Sequence, residues 1–475
     1  MKILLTGATG NIGRFTVAHL LGLGHSVAAM VRDPERALNL LGQNTRVIDY
    51  REGQNRLIQE LENADAVINL AGSPVATRWT KSKKHELRSS RIDLTDKLVN
   101  AIAGCLKPPK VFISASAVGY YGNREDMLLT ESDKPGQGFL SKLCEDWEQA
   151  AMEAEQYGTR VCTLRIGIVL SREMGFLKSV IPAFEMGAGA YIGANQFVPW
   201  IHIHDMVDII GKCLENDDIY GPINCVAPSQ VTNKELARHM ADITGAKFLI
   251  PIHPLMLKPI LGQATQVLTN SLRVVPQKLN HIGHVFKYPS ITEALKEELS
   301  PGCIEITKYL NSEPVANENM PNITSKGQYE LHARIPLRSP KGTVFEFFSS
   351  AANLGLLTPT WVDFRILEMP NKMVVGSIIK YRIGVWFIGI KWTTKITMWK
   401  PDDAFIDYQE SGPYSLWWHE HKVISKCDGG VDMEDRVIYR LPLGILGRIA
   451  HRLVIRQTLL RIFRFRRSII QLRIP

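Results

Sequence analysis

Residues 1–32 read MKILLTGATGNIGRFTVAHLLGLGHSVAAMVR. The apolar and β-branched run Ile3 to Thr6 leads directly into Gly7, Gly10 and Gly13, and an apolar helical repeat covers Arg14 to Leu23. This is the pattern of a strand, a tight glycine turn and a helix. Gly7 lets the chain reverse, Gly10 lets backbone N–H groups come close to a pyrophosphate, and Gly13 lets helix and strand pack without a side chain between them. A second strand, Ser26 to Val31, follows at the distance expected of a βαβ unit and hands on to Arg32.

Working outward, strand patterns at 46–48, 66–70, 111–114 and 161–168 alternate with helical repeats, notably 81–103 and 140–156. Alternation of this kind predicts a doubly wound parallel sheet with helices on both faces, an α/β fold that binds ligands beyond the carboxyl ends of its strands. Leu70, Ala71 and Gly72 close the strand that follows Asp65, so their backbone is expected beside a cofactor, with Thr9, Asn11 and Ile12 in the glycine loop itself. Arg32 stands where such folds read the adenosine ribose. An acid there bonds a 2′-hydroxyl and an arginine pairs with a 2′-phosphate, so Arg32 points to NADP(H); the adjacent Asp33 leaves NAD(H) open.

Composition sets the frame for the rest. A chain of 475 residues allows two to three domains, and 45% hydrophobic with 22% charged residues is ordinary for globular protein. No apolar run reaches the roughly 18 residues of a membrane span, and the start of the chain enters a glycine loop rather than a leader, so a cytoplasmic protein is expected. Seven scattered cysteines without a CxxC pair argue against a disulfide framework or a structural zinc site. The net charge of +9 is local: residues 325–475 hold 23 Lys and Arg against 13 Asp and Glu, and the remainder is close to balance.

The motifs TGATGNIG (Thr6–Gly13), DAVINLAG (Asp65–Gly72), SASAVGYYG (Ser114–Gly122), LRIGIVLS (Leu164–Ser171) and PWIHIHDMV (Pro199–Val207) resemble, in order and spacing, an extended short-chain dehydrogenase/reductase of the NAD(P)-dependent epimerase/dehydratase type. RWTKSKKHELRSSR (Arg78–Arg91), FLSKLCEDWE (Phe139–Glu148) and VVPQKLNHIGHVFKYPSITEAL (Val274–Leu295) narrow the resemblance to an atypical epimerase subgroup. It covers about residues 1–300 and implies a Rossmann domain with a small substrate lobe largely within 171–300. It also implies chemistry at a carbinol or carbonyl carbon, in which a Tyr-x-x-x-Lys pair moves the proton and an upstream Ser polarises the substrate oxygen. Ser116 matches the serine. The tyrosine and lysine positions hold Leu140 and Cys144, leaving Tyr120, or Tyr121 beside it, as the candidate phenol. The competing expectation is a non-catalytic sensor that binds NADP(H) without turning it over. His202-Ile203-His204-Asp205 and His419-Glu420-His421 lack a third-ligand spacing, and no metal site is expected.

Residues 311–327 are polar, contain two prolines and read as a linker. Beyond it the period changes to two, with a helix at 342–349, six further strands between 364 and 440, and a long helix from about 446 to 470. This order predicts an α+β helix-grip domain, an antiparallel sheet covered by a C-terminal helix, spanning 328–475. VFEFFSSAANLGLLTP (Val344–Pro359), GPYSLWWHEH (Gly412–His421) and DRVIYRLPLGILGRIAHRL (Asp435–Leu453) resemble the START-like or polyketide-cyclase-like (SRPBCC) superfamily. The resemblance implies an apolar ligand cavity, for which Trp386, Trp392, Trp399, Trp417 and Trp418 are candidate lining. Arg448, Arg452 and Arg456 fall on one face of the last helix, where an anionic surface contact is one expectation and a solvated face the other; Leu446, Ile449, Leu453 and Phe463 are expected to pack on the sheet.

Overall fold

In the computed structural model, residues 1–43, 45–300, 302–309, 327–385, 388–427 and 429–474 are described. They fall into two units, one of residues 1–34 and 46–300, the other of residues 35–45 and 301–475. The first unit holds a seven-stranded, wholly parallel sheet. Its strands run, from one edge to the other, Gly221–Cys225, Arg160–Ile166, Val111–Ala117, Ala66–Asn69, Lys2–Thr6, Ser26–Val31 and Arg46–Asp49. The order reverses between Lys2–Thr6 and Ala66–Asn69. That reversal opens a crevice at the carboxyl ends of these two strands, where the glycine loop lies.

Both faces of the central strands are buried, and for that reason they read as continuous apolar runs rather than alternating ones. Leu4, Val67, Phe112 and Val161 pack with Leu98 and Ile102 of the helix Leu94–Ala103. A separate cluster of Leu177, Phe184, Trp200, Leu236, Met240 and Leu295 forms the core of the lobe built after Leu170.

The second unit is an eight-stranded antiparallel sheet and the helices Lys341–Ser349 and Arg456–Arg473. The strand order is Ile304–Lys308, Tyr329–Leu337, Val431–Arg440, Leu416–Ser425, Ala404–Ser411, Ile388–Lys400, Ile378–Val385 and Asp363–Glu368. Ile304–Lys308 corrects the boundary drawn at 328: it pairs in register with Tyr329–Leu337, burying Ile304 and Ile306 against Leu459 and Phe463. Five residues with two inward positions were too short to separate from the end of the preceding helix. The linker reading, residues 311–327, lies outside the described residues except for Gly327, as does Trp386.

Leu459, Leu460 and Phe463 of the last helix pack on the sheet, whereas Leu446, Ile449 and Leu453 are exposed, against expectation. A π-helical turn, His451–Ile455, separates Gly444–Ala450 from Arg456–Arg473. Its extra residue rotates the apolar stripe of the first segment away from that of the second. No helix among the described residues is long and apolar enough to cross a membrane.

Candidate functional site

The glycine loop is built by backbone packing. Gly7 has φ +72°, and a Cβ there would lie 2.7 Å from the carbonyl carbon of Leu70 and 2.8 Å from the amide nitrogen of Ala71. A Cβ at Gly13 would meet the Gly7 carbonyl oxygen at 2.1 Å. Two main chains therefore touch where only glycine fits. The Gly10 amide donates to the Gly7 carbonyl at 2.9 Å, closing the turn. The helix Asn11–Gly22 then starts from Gly10 with no side-chain cap and no acid in its first turn, leaving an N-terminus suited to an anion.

Thr9, Gly10, Asn11 and Ile12 lie at the exposed or half-buried rim of this loop, opposite Leu70, Ala71 and Gly72. The pairing of Lys2–Thr6 with Ala66–Asn69 fixes that juxtaposition, and a buried chain of hydrogen bonds braces it: Thr6 Oγ1 to Asn69 Oδ1 (2.6 Å), Asn69 Nδ2 to Thr95 Oγ1 (2.9 Å), and Trp147 Nε1 to the same Thr95 hydroxyl (3.0 Å). Arg32 is exposed just past the strand Ser26–Val31.

The sequence alone misses Arg91. It sits in the π turn Ser89–Asp93, donates to the Ser73 carbonyl at 3.0 Å and lies 5.1 Å over the Trp147 ring. A Cβ on Gly72 would come within 3.1 Å of its guanidinium, so this cation is held directly beside the strand exit.

Ser116 lies at the end of Val111–Ala117 as expected, but its hydroxyl does not face outward. It donates to Glu148 Oε1 at 2.6 Å. Glu148 in turn takes two parallel bonds from Arg165, Nε to Oε1 and Nη2 to Oε2, each 2.9 Å. Arg165 also donates to the Tyr121 hydroxyl at 2.9 Å, and that hydroxyl has Asn224 Oδ1 at 2.7 Å and the Thr130 carbonyl at 2.9 Å as acceptors for its hydrogen. Burial opposes the Arg165 charge, but Glu148 and Tyr121 outweigh it and raise the pKa. Burial likewise pushes the Tyr121 phenol up to about 12.

Ser116, expected to polarise a substrate oxygen, here donates its proton to a carboxylate. Tyr120 has the Arg165 guanidinium 3.6 Å over its ring, and burial raises its pKa against the pull of that cation. Leu140 and Cys144 flank Gly119. Burial, reinforced by Glu148, pushes the Cys144 thiol up to about 12. Arg165 carried a signal in the sequence, since an arginine within the buried strand RVCTLRI needs a buried acid; which acid it pairs with was not readable.

His202 and His204 make their contacts within the lobe. His202 Nε2 lies 3.0 Å from Glu298 Oε1 and its Nδ1 accepts from the His204 amide, while Asp205 accepts from the amides of Lys287 and Tyr288.

In the second unit a cavity of about 490 Å³ lies between sheet and last helix, with Tyr381, Trp392, Trp417 and Phe463 among its walls. Trp399 packs instead with Phe345 and Phe405, and Trp418 is buried with Ile406 and Ile438. The arginines of the last helix divide. Arg448 and Arg452 are exposed, Arg464 and Arg467 are buried, and Arg461, Arg466 and Arg473 lie over the rings of Trp361, Phe348 and Phe347.

Residues 3–225 match the NAD dependent epimerase/dehydratase family, and residues 254–298 match a domain of unknown function, DUF1731. The chain is 33% identical over 303 residues to the epimerase family protein SDR39U1 homolog, chloroplastic, of Arabidopsis thaliana, covering 62% of this chain and 86% of that one. It is 32% identical over 306 residues to the Homo sapiens epimerase family protein SDR39U1, covering 62% and 99%. The crystal structure of the human protein (isoform 2) with NADPH superposes with a TM-score of 0.57 at 30% identity, over 63% of this chain and 99% of that chain.

Proposed function

The chain belongs to the NAD dependent epimerase/dehydratase family, and from that premise we propose that its first unit binds NADP(H) and oxidises or reduces a small carbinol or carbonyl compound, while its second is a START-like domain for an apolar ligand. The observation that carries the cofactor reading is the backbone contact of Gly7 with Leu70 and Ala71 beside an uncapped helix N-terminus. The loop amides of Gly10 to Gly13 hold the pyrophosphate, and the exposed Arg32 pairs with the 2′-phosphate. The human relative, solved with NADPH, supports the same choice.

The nicotinamide, when bound, supplies or accepts the hydride. Within this chain the proton then falls to Tyr120, because Leu140 and Cys144 provide no Tyr-Lys relay and Ser116 is engaged by Glu148. A second reading, an NADP(H)-dependent sensor without turnover, is favoured by that same engagement of Ser116.

The cavity under the last helix, walled mainly by aromatic and aliphatic side chains, supports the ligand-binding reading of the second unit. Arg448 and Arg452, exposed among Leu446, Ile449 and Leu453, are where an anionic surface would meet it.

Thermal shift with NADPH and NADH, followed by NADPH consumption against a carbonyl panel, tests both readings. NADPH is expected to stabilise more than NADH, with the preference lost in Arg32→Ala. Turnover that Tyr120→Phe abolishes supports the enzyme; tight NADPH binding with no turnover on any substrate supports the sensor. A chain that neither nucleotide stabilises overturns both.

A further inference from the structure

Four ionisable side chains converge on one face of three neighbouring strands in the second unit. Asp407 stands directly opposite His419 in the pairing of Ala404–Ser411 with Leu416–Ser425, and Asp435 stands opposite His421 in the pairing of Leu416–Ser425 with Val431–Arg440. His419 and His421, two residues apart on one strand, share that face. His419, His421 and Asp435 are buried. Asp407, His419 and His421 line the cavity, among walls that include Phe405, Trp417 and Phe463.

Each ring has a carboxylate at both nitrogens. His419 Nδ1 lies 3.3 Å and His421 Nε2 3.0 Å from the same oxygen, Asp407 Oδ2. On the other side, His419 Nε2 lies 3.1 Å and His421 Nδ1 2.6 Å from one oxygen of Asp435. Two of these four approaches have hydrogen-bond geometry, His419 Nε2 with Asp435 Oδ1 and His421 Nε2 with Asp407 Oδ2, while His421 Nδ1 is buried without a hydrogen-bond partner. The two ring centroids lie 3.8 Å apart, so the four side chains form one compact cluster.

A single metal ion on the cavity side suits this geometry. It would take the lone pairs of His419 Nδ1 and His421 Nε2 together with Asp407 Oδ2, leaving His419 Nε2–H to donate to Asp435, which also lies against His421 Nδ1. A carboxylate behind each metal-bound histidine is the usual means of fixing its tautomer and orientation. One donor atom from each of Asp407, His419 and His421 lies within 4.8 Å of the other two. Bonds of about 2.0–2.2 Å to nitrogen and oxygen put neighbouring tetrahedral ligands about 3.3–3.5 Å apart, close to the separations from Asp407 Oδ2. The cluster holds two carboxylates and, 3.8 Å from Asp435, the Arg466 guanidinium. Two imidazoles and one carboxylate form a borderline donor set that suits zinc or ferrous ion, not calcium or magnesium.

We propose that Asp407, His419 and His421 bind one divalent first-row transition-metal ion, with Asp435 as the positioning carboxylate and the open coordination positions facing the cavity. This goes beyond the apolar-ligand reading and stands if that reading fails. The sequence assigns His419-Glu420-His421 no metal role because the third ligand comes from the neighbouring strand.

The test is titration of the chelator-stripped full chain with Zn²⁺ by calorimetry and with Co²⁺ by visible absorption. One ion per chain is expected, with affinity lower by roughly a hundredfold or more in Asp407→Asn and His421→Gln and by about 10–100-fold in Asp435→Asn. A chain that binds no ion, or one whose affinity is unchanged in Asp407→Asn and His421→Gln, overturns the proposal. Should those variants fail to fold, X-ray absorption of the zinc-loaded wild-type chain decides. A shell of two imidazoles and a carboxylate supports the site, and a thiolate or all-oxygen shell overturns it.

Discussion

The glycine loop of the first unit and the ionic cluster of the second are built on opposite principles. The loop is main chain throughout: Gly7, Gly10 and Gly13 lie within seven residues of one another, and their function depends on having no side chain. The cluster is all side chain, and its members come from three strands spread over Asp407 to Asp435. A site made of local backbone leaves a spacing in the sequence. One made by strand register leaves residues that look unrelated until the sheet forms.

The largest effect is expected where backbone meets backbone. In Gly13→Val the new side chain begins 2.1 Å from the Gly7 carbonyl oxygen, which cannot move without displacing the strand end. NADPH affinity, read by fluorescence or thermal shift, is expected to fall on the order of a hundredfold or more. Metal titration of the second unit should be unaffected. Coupled loss of both would break the contrast drawn above.

Next comes the first unit's own side-chain network. Arg165→Met leaves the Glu148 carboxylate buried without its bidentate partner and is expected to cost about 3–5 kcal/mol in denaturant unfolding. The double variant Arg165→Met with Glu148→Leu should recover most of that loss, because no charge then remains buried. A double variant as unstable as the single one would show that packing rather than charge holds Ser116, Glu148 and Arg165 together.

The smallest effect is a pH dependence in the second unit. His451 stacks on Tyr329 at 3.6 Å, with its Nε2 2.8 Å from the Tyr439 hydroxyl. Burial, helped by Arg456, lowers its pKa from 6.5 to about 4. The unfolded chain therefore binds this proton at higher pH than the folded one does. Its contribution to stability is complete above pH 6.5 and is lost as pH falls toward about 4. Thermal melts over that range should decline less steeply in His451→Gln than in the wild type; equal slopes would place the titration elsewhere.

The legibility of the fold follows the same division. The parallel sheet was readable because strands buried on both faces are continuous apolar runs separated by helical repeats. The antiparallel sheet was readable from alternation, except for Ile304–Lys308, whose two inward residues gave too little pattern. Of the candidate site, Gly7, Gly10, Gly13, Leu70, Ala71 and Gly72 were proposed from the motifs, and the structure packs the Gly7 backbone against Leu70 and Ala71 and Gly13 against Gly7. Ser116 was placed correctly at its strand end, but the direction of its proton depends on Glu148, 32 residues away. Arg91 escaped notice because a π turn, not a motif, aims it at the Ser73 carbonyl.

By itself the sequence determined what depends on local backbone and on periodicity: the glycine turn, the alternation of strand and helix, and the change to an antiparallel domain. Only the tertiary structure decided which buried charges are neighbours. Arg165 pairs with Glu148, and Asp407 and Asp435 enclose His419 and His421, because strand pairing and helix packing bring together groups far apart in the chain. Charges removed from water must find partners wherever the fold provides them, and the order of residues along the chain does not record where that is.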